Sequence, residues 1–263
     1  MIADADLLHA LADAAEAAVL PHFRQLAYVD NKASEGFDPV TVADREAEAA
    51  MRAILARERP DDAVVGEELA EARGTSGRTW ILDPIDGTRA FIAGLPTWGV
   101  LIALAEDGSA VRGMMAQPFV GERFVGGPDG AYWSRGSQQH ALAARRCATL
   151  GEAVLASTGP QHFDVSRRER FATLAAACRM VRYGTDCYGY AMVAAGHIDV
   201  VVEAGLKVVD IAPFVPMITA AGGTVTDWQG APFGHRLLTD FRGDVVAVGD
   251  ADLLPQVLAA LAE

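Results

Sequence analysis

Two aspartates, Asp83 and Asp86, lie three residues apart where an apolar run meets a turn, in the segment WILDPIDGT at residues 80–88. Carboxylates this close repel each other unless a positive charge lies between them. Taken alone, such a D-x-x-D-G turn more often bonds its own backbone, because aspartate side chains favour that arrangement. A second short apolar run, VVGEE at residues 64–68, also ends in paired acids and includes Glu67. Its alternative interpretation is a solvated loop.

A further aspartate, Asp210, stands inside the apolar stretch VVDIAP at residues 208–213. As a structural residue it would cap a helix that has Pro213 in its first turn. Hard cations such as Mg²⁺ prefer oxygen ligands, and two-metal phosphatases need acids from several segments. Four acids meet that requirement if the strand ends converge: Glu67, Asp83, Asp86 and Asp210.

The turn after the second aspartate offers a phosphate site, because Gly87 and Thr88 precede a short predicted helix over residues 89–92. Backbone N–H groups at a helix start can bind a phosphate. The alternative is a turn glycine followed by a helix cap.

Composition narrows the class of protein. The chain has 263 residues, is 51% hydrophobic and carries a net charge of −13, so we expect a folded protein and no nucleic-acid partner. Divalent metals would neutralise clustered acids and admit a phosphorylated substrate. Three scattered cysteines, an acidic N-terminus and the lack of a long apolar run favour a cytoplasmic protein with no membrane association.

The order of the predicted elements indicates an α/β protein with two halves. Helices over residues 5–26 and 42–59 precede a run of short strands at hairpin spacing, typical of an antiparallel sheet. Beyond about residue 146 strands and helices alternate, and one helix is expected over residues 210–221. We therefore predict an N-terminal α+β half over residues 1–145 and a C-terminal α/β half over 146–263, joined near residues 138–151.

Taken together, GEE at residues 66–68, WILDPIDGT at 80–88, and DIA at 210–212 ahead of AGG at 221–223 resemble the inositol monophosphatase family of Mg²⁺-dependent, lithium-sensitive phosphatases. The resemblance spans nearly the whole chain, and the motifs are specific as a set. It implies a layered αβαβα sandwich, two or three Mg²⁺ ions, inhibition by Li⁺, a small phosphorylated substrate and a homodimer.

The resemblance also assigns roles to residues. It implies metal ligands at Glu67, Asp83, the Ile85 carbonyl, Asp86 and Asp210, phosphate binding by Gly87 and Thr88, and orientation and deprotonation of the attacking water by Glu67 and the Thr88 hydroxyl. Asp44 matches a position that borders a third metal. Its alternative is an exposed acid in the first turn of a helix.

Two later segments, TDCYGY at residues 185–190 and VVEAGLK at 201–207, resemble the histidinol-phosphate phosphatase branch. They imply substrate contacts by Thr185, Asp186 and Glu203. Histidinol phosphate carries an ammonium and an imidazole, which carboxylates can pair with. Inositol needs hydroxyl partners that carboxylates also supply, so Glu203 discriminates poorly. Asp186 discriminates better, although it could instead cap a helix.

Other functions remain open on the sequence. The alternatives are an inositol-1-phosphate or broad sugar-phosphate phosphatase, a 3′-phosphoadenosine 5′-phosphate phosphatase, and an inactive regulatory or RNA-polymerase-binding relative. The pair Val208-Val209 departs from the proline-aromatic pair expected in the histidinol-phosphate branch. No histidine has a ligand spacing, and Cys187 is expected to be a packed thiol.

Overall fold

The computed structural model describes residues 2–25, 29–31 and 39–262. The helices are α1 (Asp4–Val19), α2 (Val42–Glu58), α3 (Thr88–Ile92), α4 (Val165–Ala177), α5 (Asp186–Ala194), α6 (Val208–Ile211), α7 (Phe214–Ala220), α8 (Leu237–Asp240) and α9 (Leu254–Ala262). The strands are β1 (Val29–Asn31), β2 (Pro39–Thr41), β3 (Ala63–Gly66), β4 (Arg78–Asp86), β5 (Gly99–Glu106), β6 (Ser109–Gln117), β7 (Glu122–Gly127), β8 (Gly130–Arg135), β9 (Gln138–Ala141), β10 (Val154–Ser157), β11 (Met180–Tyr183), β12 (Val200–Glu203), β13 (Thr224–Thr226) and β14 (Val245–Val248).

Two main sheets organise the chain. Strands β3 to β9 form a seven-stranded sheet in sequence order, parallel between β3 and β4 and antiparallel elsewhere. The second sheet has the order β11-β10-β12-β14-β13, with β10 parallel to both neighbours and β14 antiparallel. The antiparallel sheet predicted for the first half and the alternating strands and helices of the second are therefore present.

Period-two alternation explains how the seven-stranded sheet is buried on both faces. In β5, Val100, Ile102 and Leu104 pack with α1 and α2 in one core cluster. Leu101 and Ala103 point the other way, into a second cluster that contains residues of α5, α7 and the five-stranded sheet. A strand covered on both faces reads as a continuous apolar run, as β5 does.

The far face of the five-stranded sheet packs against α4 and α9 in a third cluster, which contains Val200 and Val246 of the sheet together with Phe171 and Val257 of the helices. The layers are therefore α1/α2, the seven-stranded sheet, α5/α7, the five-stranded sheet and α4/α9. This confirms the predicted αβαβα sandwich. Because the central cluster takes residues from both sheets, the division at residues 145 and 146 stays a prediction.

Several predicted boundaries were wrong. The first helix ends at Val19, and turns follow to residue 25. The break predicted at residues 31–39 lies mostly outside the described residues. The helix expected over 210–221 is two helices, α6 and α7, because Pro213 stands at the start of the second and lacks an N–H. Strand β9 occupies the first residues of the predicted joint.

None of the helices in the described ranges combines the length and apolar character needed to cross a membrane.

Candidate active site

Three carboxylates meet where β4 ends against α6. One ligand atom from each of Asp83, Asp86 and Asp210 lies within 4.8 Å of the other two. In β4 the ladder with β5 is irregular between Asp83 and Asp86, where Pro84 has no N–H to donate. An irregularity of this kind changes the direction in which nearby side chains point, and here the carboxylates of both aspartates lie on the same side of the strand end.

The register of β3 explains how Glu67 joins this group. Gly66 is paired with Leu82 in the parallel ladder, so the next residue along each strand brings Glu67 level with Asp83. The charge of Glu67 is, after desolvation, the largest cause of the raised pKa of Asp83, as expected for neighbouring carboxylates. Glu67 therefore lies beside the group of three aspartates.

Burial and mutual repulsion raise the pKa values of the three aspartates. Asp83 is buried, and desolvation, followed by the charges of Glu67 and Asp86, raises its pKa well above the ordinary value. Desolvation is also the largest cause of the raised pKa values of Asp86 and Asp210. Oxygen ligands that repel each other in this way fit a hard divalent cation, which would remove the repulsion.

Glu67 also has a partner that the sequence did not suggest. The Lys207 ammonium lies 2.9 Å from Glu67 Oε1, and the backbone N–H of Lys207 donates to Asp210 Oδ2 at 2.8 Å. Lys207 thus connects the upstream and downstream parts of the acidic cluster. Asp210 is the third residue of α6 and accepts this bond as in a capping box, so its side chain serves the helix start as well as the cluster.

Asp44 is buried, so the alternative of an exposed acid was wrong. Its Oδ2 accepts hydrogen bonds from the backbone N–H of Thr41 at 2.8 Å and from the Thr41 hydroxyl at 2.6 Å, which fixes the start of α2. The Asp44 charge nevertheless contributes to the raised pKa of Asp83. Asp44 therefore borders the acidic cluster from the helix side.

The turn after β4 is compact. Gly87 has φ of +81°, a left-handed conformation that disfavours side chains, and precedes α3. A Cβ at Gly87 would lie 3.2 Å from both Asp186 Cβ and Trp98 Cα. The Thr88 hydroxyl donates to the Ile85 carbonyl oxygen at 3.1 Å, which orders the turn and leaves the hydroxyl lone pairs as acceptors.

Asp186 lies next to this turn. It is the first residue of α5 and has an unusual positive φ of 44°. Its Oδ2 accepts from the Thr97 hydroxyl at 3.3 Å, and partial burial raises the pKa of the carboxyl group. The hydrogen bond at the start of α5 comes from Asp86 and not from Asp186: Asp86 Oδ2 accepts from the backbone N–H of Cys187 at 2.9 Å. The Cys187 thiol is buried, as predicted.

Glu203 ends β12 and is almost fully buried. Desolvation raises its pKa to about 7, although the N–H of Thr158 donates to Glu203 Oε1. Two hydroxyls of α5 and its N-cap, those of Tyr190 and Thr185, are buried and have no hydrogen-bond partner among the described residues. Desolvation and the charges of Glu203, Asp210 and Asp86 raise the pKa of Tyr190, as expected for a hydroxyl near these carboxylates.

Sequence reasoning missed four residues here: Lys207, Thr97, Tyr190 and Glu48, whose side chain contacts the Glu67 loop. Lys207 lies three residues before Asp210, but its side chain reaches Glu67, 140 positions away, which no local pattern indicates. Thr97 and Tyr190 carry no local signal, because only the tertiary fold brings them to the site.

A cluster of oxygen ligands beside a glycine turn at a helix start defines the class, a metal-dependent site for a phosphate-containing group. The whole-chain comparisons narrow this further. Residues 4–262 match the model of the inositol monophosphatase family. A solved inositol monophosphatase from Zymomonas mobilis is 42% identical, with a TM-score of 0.86 over 99% of this chain and 98% of that one.

Characterised relatives agree. A histidinol-phosphatase of Streptomyces coelicolor is 37% identical over 88% of this chain and 89% of its own length. The chloroplastic bifunctional phosphatase IMPL2 of Arabidopsis thaliana is 36% identical over 96% of this chain and 73% of that protein. The chain therefore belongs to the inositol monophosphatase family and is a metal-dependent phosphatase.

Proposed function

We propose that this phosphatase hydrolyses L-histidinol phosphate to L-histidinol and phosphate, with Mg²⁺ as its metal. The observation that carries the proposal is the Asp186 carboxylate, which stands beside the Gly87 turn with a hydroxyl as its hydrogen-bond partner. Burial raises the pKa of Asp186, although the Thr97 hydroxyl and the charge of Arg89 both lower it. The ammonium or imidazolium of histidinol phosphate would add a direct positive partner for this carboxylate.

The relatives support this substrate. Three of them are named histidinol-phosphatases, from Streptomyces coelicolor, Mycobacterium tuberculosis and Chlorobaculum parvum, and are 34–37% identical over 88% of this chain. Several inositol-1-monophosphatases cover less of this chain, such as that of Mycobacterium leprae with 72%.

Different residues of the site would bind the metal and the phosphate. Asp83, Asp86 and Asp210, whose ligand atoms lie within 4.8 Å of one another, would hold the metal. Glu67 and the Ile85 carbonyl would complete the ligand set, with Asp44 at its border. When bound, Mg²⁺ lowers the pKa of a water and neutralises charge on the phosphate. The N–H groups of Gly87 and Thr88 orient the phosphate.

Two side chains act on the attacking water. The Thr88 hydroxyl donates its own proton to the Ile85 carbonyl oxygen, so its oxygen accepts a hydrogen bond from the water and orients it. Glu67 acts as the general base and takes a proton from the water. The ion pair with Lys207 holds one oxygen of Glu67 and so helps to fix the orientation of the carboxylate.

The test compares kcat/KM for histidinol phosphate with that for a small neutral phosphomonoester, in wild type and in Asp186→Asn. A charge-assisted contact is worth about 1.5–3 kcal/mol, so the ratio should fall about tenfold or more. Thr97→Val serves as the matched control, since it removes the orienting hydroxyl and keeps the charge, and should change the ratio less. An unchanged ratio in Asp186→Asn would overturn this role for Asp186.

A second candidate is an inositol-1-phosphate phosphatase. It is favoured by the buried hydroxyls of Thr185 and Tyr190, which could bond to a polyol, and by the 42% identity to the Zymomonas mobilis enzyme. Phosphate release from inositol-1-phosphate and histidinol phosphate, measured side by side with Mg²⁺, decides between the two.

A further inference from the structure

A buried glutamate of α2 binds the loop that carries Glu67. The Glu48 side chain is fully buried. Its Oε2 accepts from the backbone N–H of Glu68 at 2.8 Å, and its Oε1 accepts from that of Leu69 at 3.2 Å. The two residues that follow Glu67 are thus bonded to one rigid carboxylate on a helix.

Arg52 completes this arrangement. It lies one helical turn after Glu48, and its Nε donates to Glu48 Oε1 at 2.7 Å. A second nitrogen of the same guanidinium donates to the Leu69 carbonyl oxygen at 3.2 Å. The ion pair compensates the buried charge, and both members bond to the same loop.

The residue before Glu67 is fitted to the same carboxylate. A Cβ placed on Gly66 would lie 2.0 Å from Glu48 Oε1 and 2.3 Å from its Cδ. The φ of Gly66 is not in the left-handed region, so its backbone conformation suits any residue. A side chain at this position would therefore have to displace the Glu48 carboxylate.

We propose that Glu48 is a positioning residue for the metal centre: by bonding residues 68 and 69 and filling the space beside Gly66, it fixes Glu67 level with Asp83. The proposal rests on the metal-binding role proposed for Glu67. Groups that orient metal ligands in this way typically change metal affinity by about 10–100-fold when they are removed.

The experiment measures the Mg²⁺ dissociation constant by titration calorimetry, with the folded fraction of each variant checked by circular dichroism. Glu48→Ala should weaken Mg²⁺ binding about tenfold or more. The matched control is Asp199→Ala. Asp199 is also fully buried, pairs with Arg145 and accepts from the N–H of Val154, but it lies away from the acidic cluster. This variant should lose stability and keep its Mg²⁺ affinity.

A double-mutant cycle with Gly66 adds a sharper test. Gly66→Ala should displace the Glu48 carboxylate and weaken Mg²⁺ binding by itself. In the Glu48→Ala background the new methyl group enters vacated space, so adding Gly66→Ala should cause no further loss. Additive losses would contradict the steric coupling on which the proposal depends.

The remaining outcomes separate the two proposals. If Glu67→Ala weakens Mg²⁺ binding and Glu48→Ala does not, Glu48 is only structural and the positioning role is overturned. If neither variant weakens binding, Glu67 does not bind the metal, and the positioning role of Glu48 is overturned as well because it depends on Glu67. Should Glu48→Ala not fold, Glu48→Gln replaces it. Gln keeps the volume but has one acceptor oxygen for two N–H groups, and unchanged affinity in that variant would also overturn the proposal.

Discussion

Glu203 makes the stability of this protein depend on pH in a direction opposite to that of most surface acids. Burial raises its pKa from 4.5 to about 7. Between these values the folded protein keeps the proton that the unfolded chain releases. The free energy of unfolding therefore falls as pH rises through this window.

The size of the effect follows from the shift. One pKa unit corresponds to about 1.4 kcal/mol, so ionising buried Glu203 costs about 3 kcal/mol in total. Most of this, about 2–3 kcal/mol, is lost between pH 5 and pH 8. That is a large share of a typical folding free energy of about 5–15 kcal/mol.

The assay is urea unfolding of wild type and Glu203→Gln at several pH values, with a chelator present. The acidic cluster titrates in both proteins, so its contribution cancels in the difference between them. Relative to Glu203→Gln, wild type should lose about 2–3 kcal/mol from pH 5 to pH 8. Parallel curves would show that Glu203 is ionised at both ends of the range, and would refute the link between its burial and its pKa.

Three further predictions concern the metal and the turn. A chelator should abolish phosphate release and added Mg²⁺ restore it, and turnover after exhaustive chelation would contradict the metal site. Asp83→Asn should lower kcat about 100-fold or more, because losing a metal ligand should cost more activity than losing a group that only orients a ligand, which costs about 10–100-fold. The same variant should raise the free energy of unfolding of the metal-free protein in urea, because one of the repelling charges is gone. Gly87→Ala should cost more stability than Gly121→Ala, whose φ of +78° is similar but whose added Cβ meets nothing within 4 Å. Gly121→Ala measures only the cost of placing a side chain at positive φ, about 1–2 kcal/mol. If both variants lose the same stability and Gly87→Ala keeps its turnover, the contacts of Gly87 with Asp186 and Trp98 are unimportant.

Periodicity predicted the antiparallel sheet of the first half and the alternating strands and helices of the second, because their strands have a strong apolar pattern, whereas the layered sandwich followed from the family resemblance. Periodicity failed at chain segments whose structure depends on partners far away in sequence. Strand β9 is polar and exposed, and only pairing with β8 makes it a strand. The helix expected over residues 210–221 was divided by Pro213, a signal present in the sequence but assigned to the first turn.

For the site, spacing found the acids but could not find their partners. Strand ends in one sheet meet at a common edge, so Glu67 and Asp83 could be brought together from the sequence alone. Nothing local indicated that Asp86 bonds the start of α5, or that Thr97 contacts Asp186. Both contacts join residues about 90–100 positions apart, which only the tertiary fold determines.

Two sets of carboxylates in this chain differ in what compensates their charge. Glu48 and Asp199 each pair with an arginine and bond backbone N–H groups, so their charges are already balanced within the protein. Among the described residues, Asp83, Asp86 and Asp210 have no ion pair with arginine or lysine, and burial raises their pKa values. A buried acid without a cation beside it can keep its proton, as Glu203 does, or a group of such acids can share a divalent cation. The three aspartates lie close enough together for the second solution, whereas the charges of Glu48 and Asp199 are balanced by arginines of the protein itself.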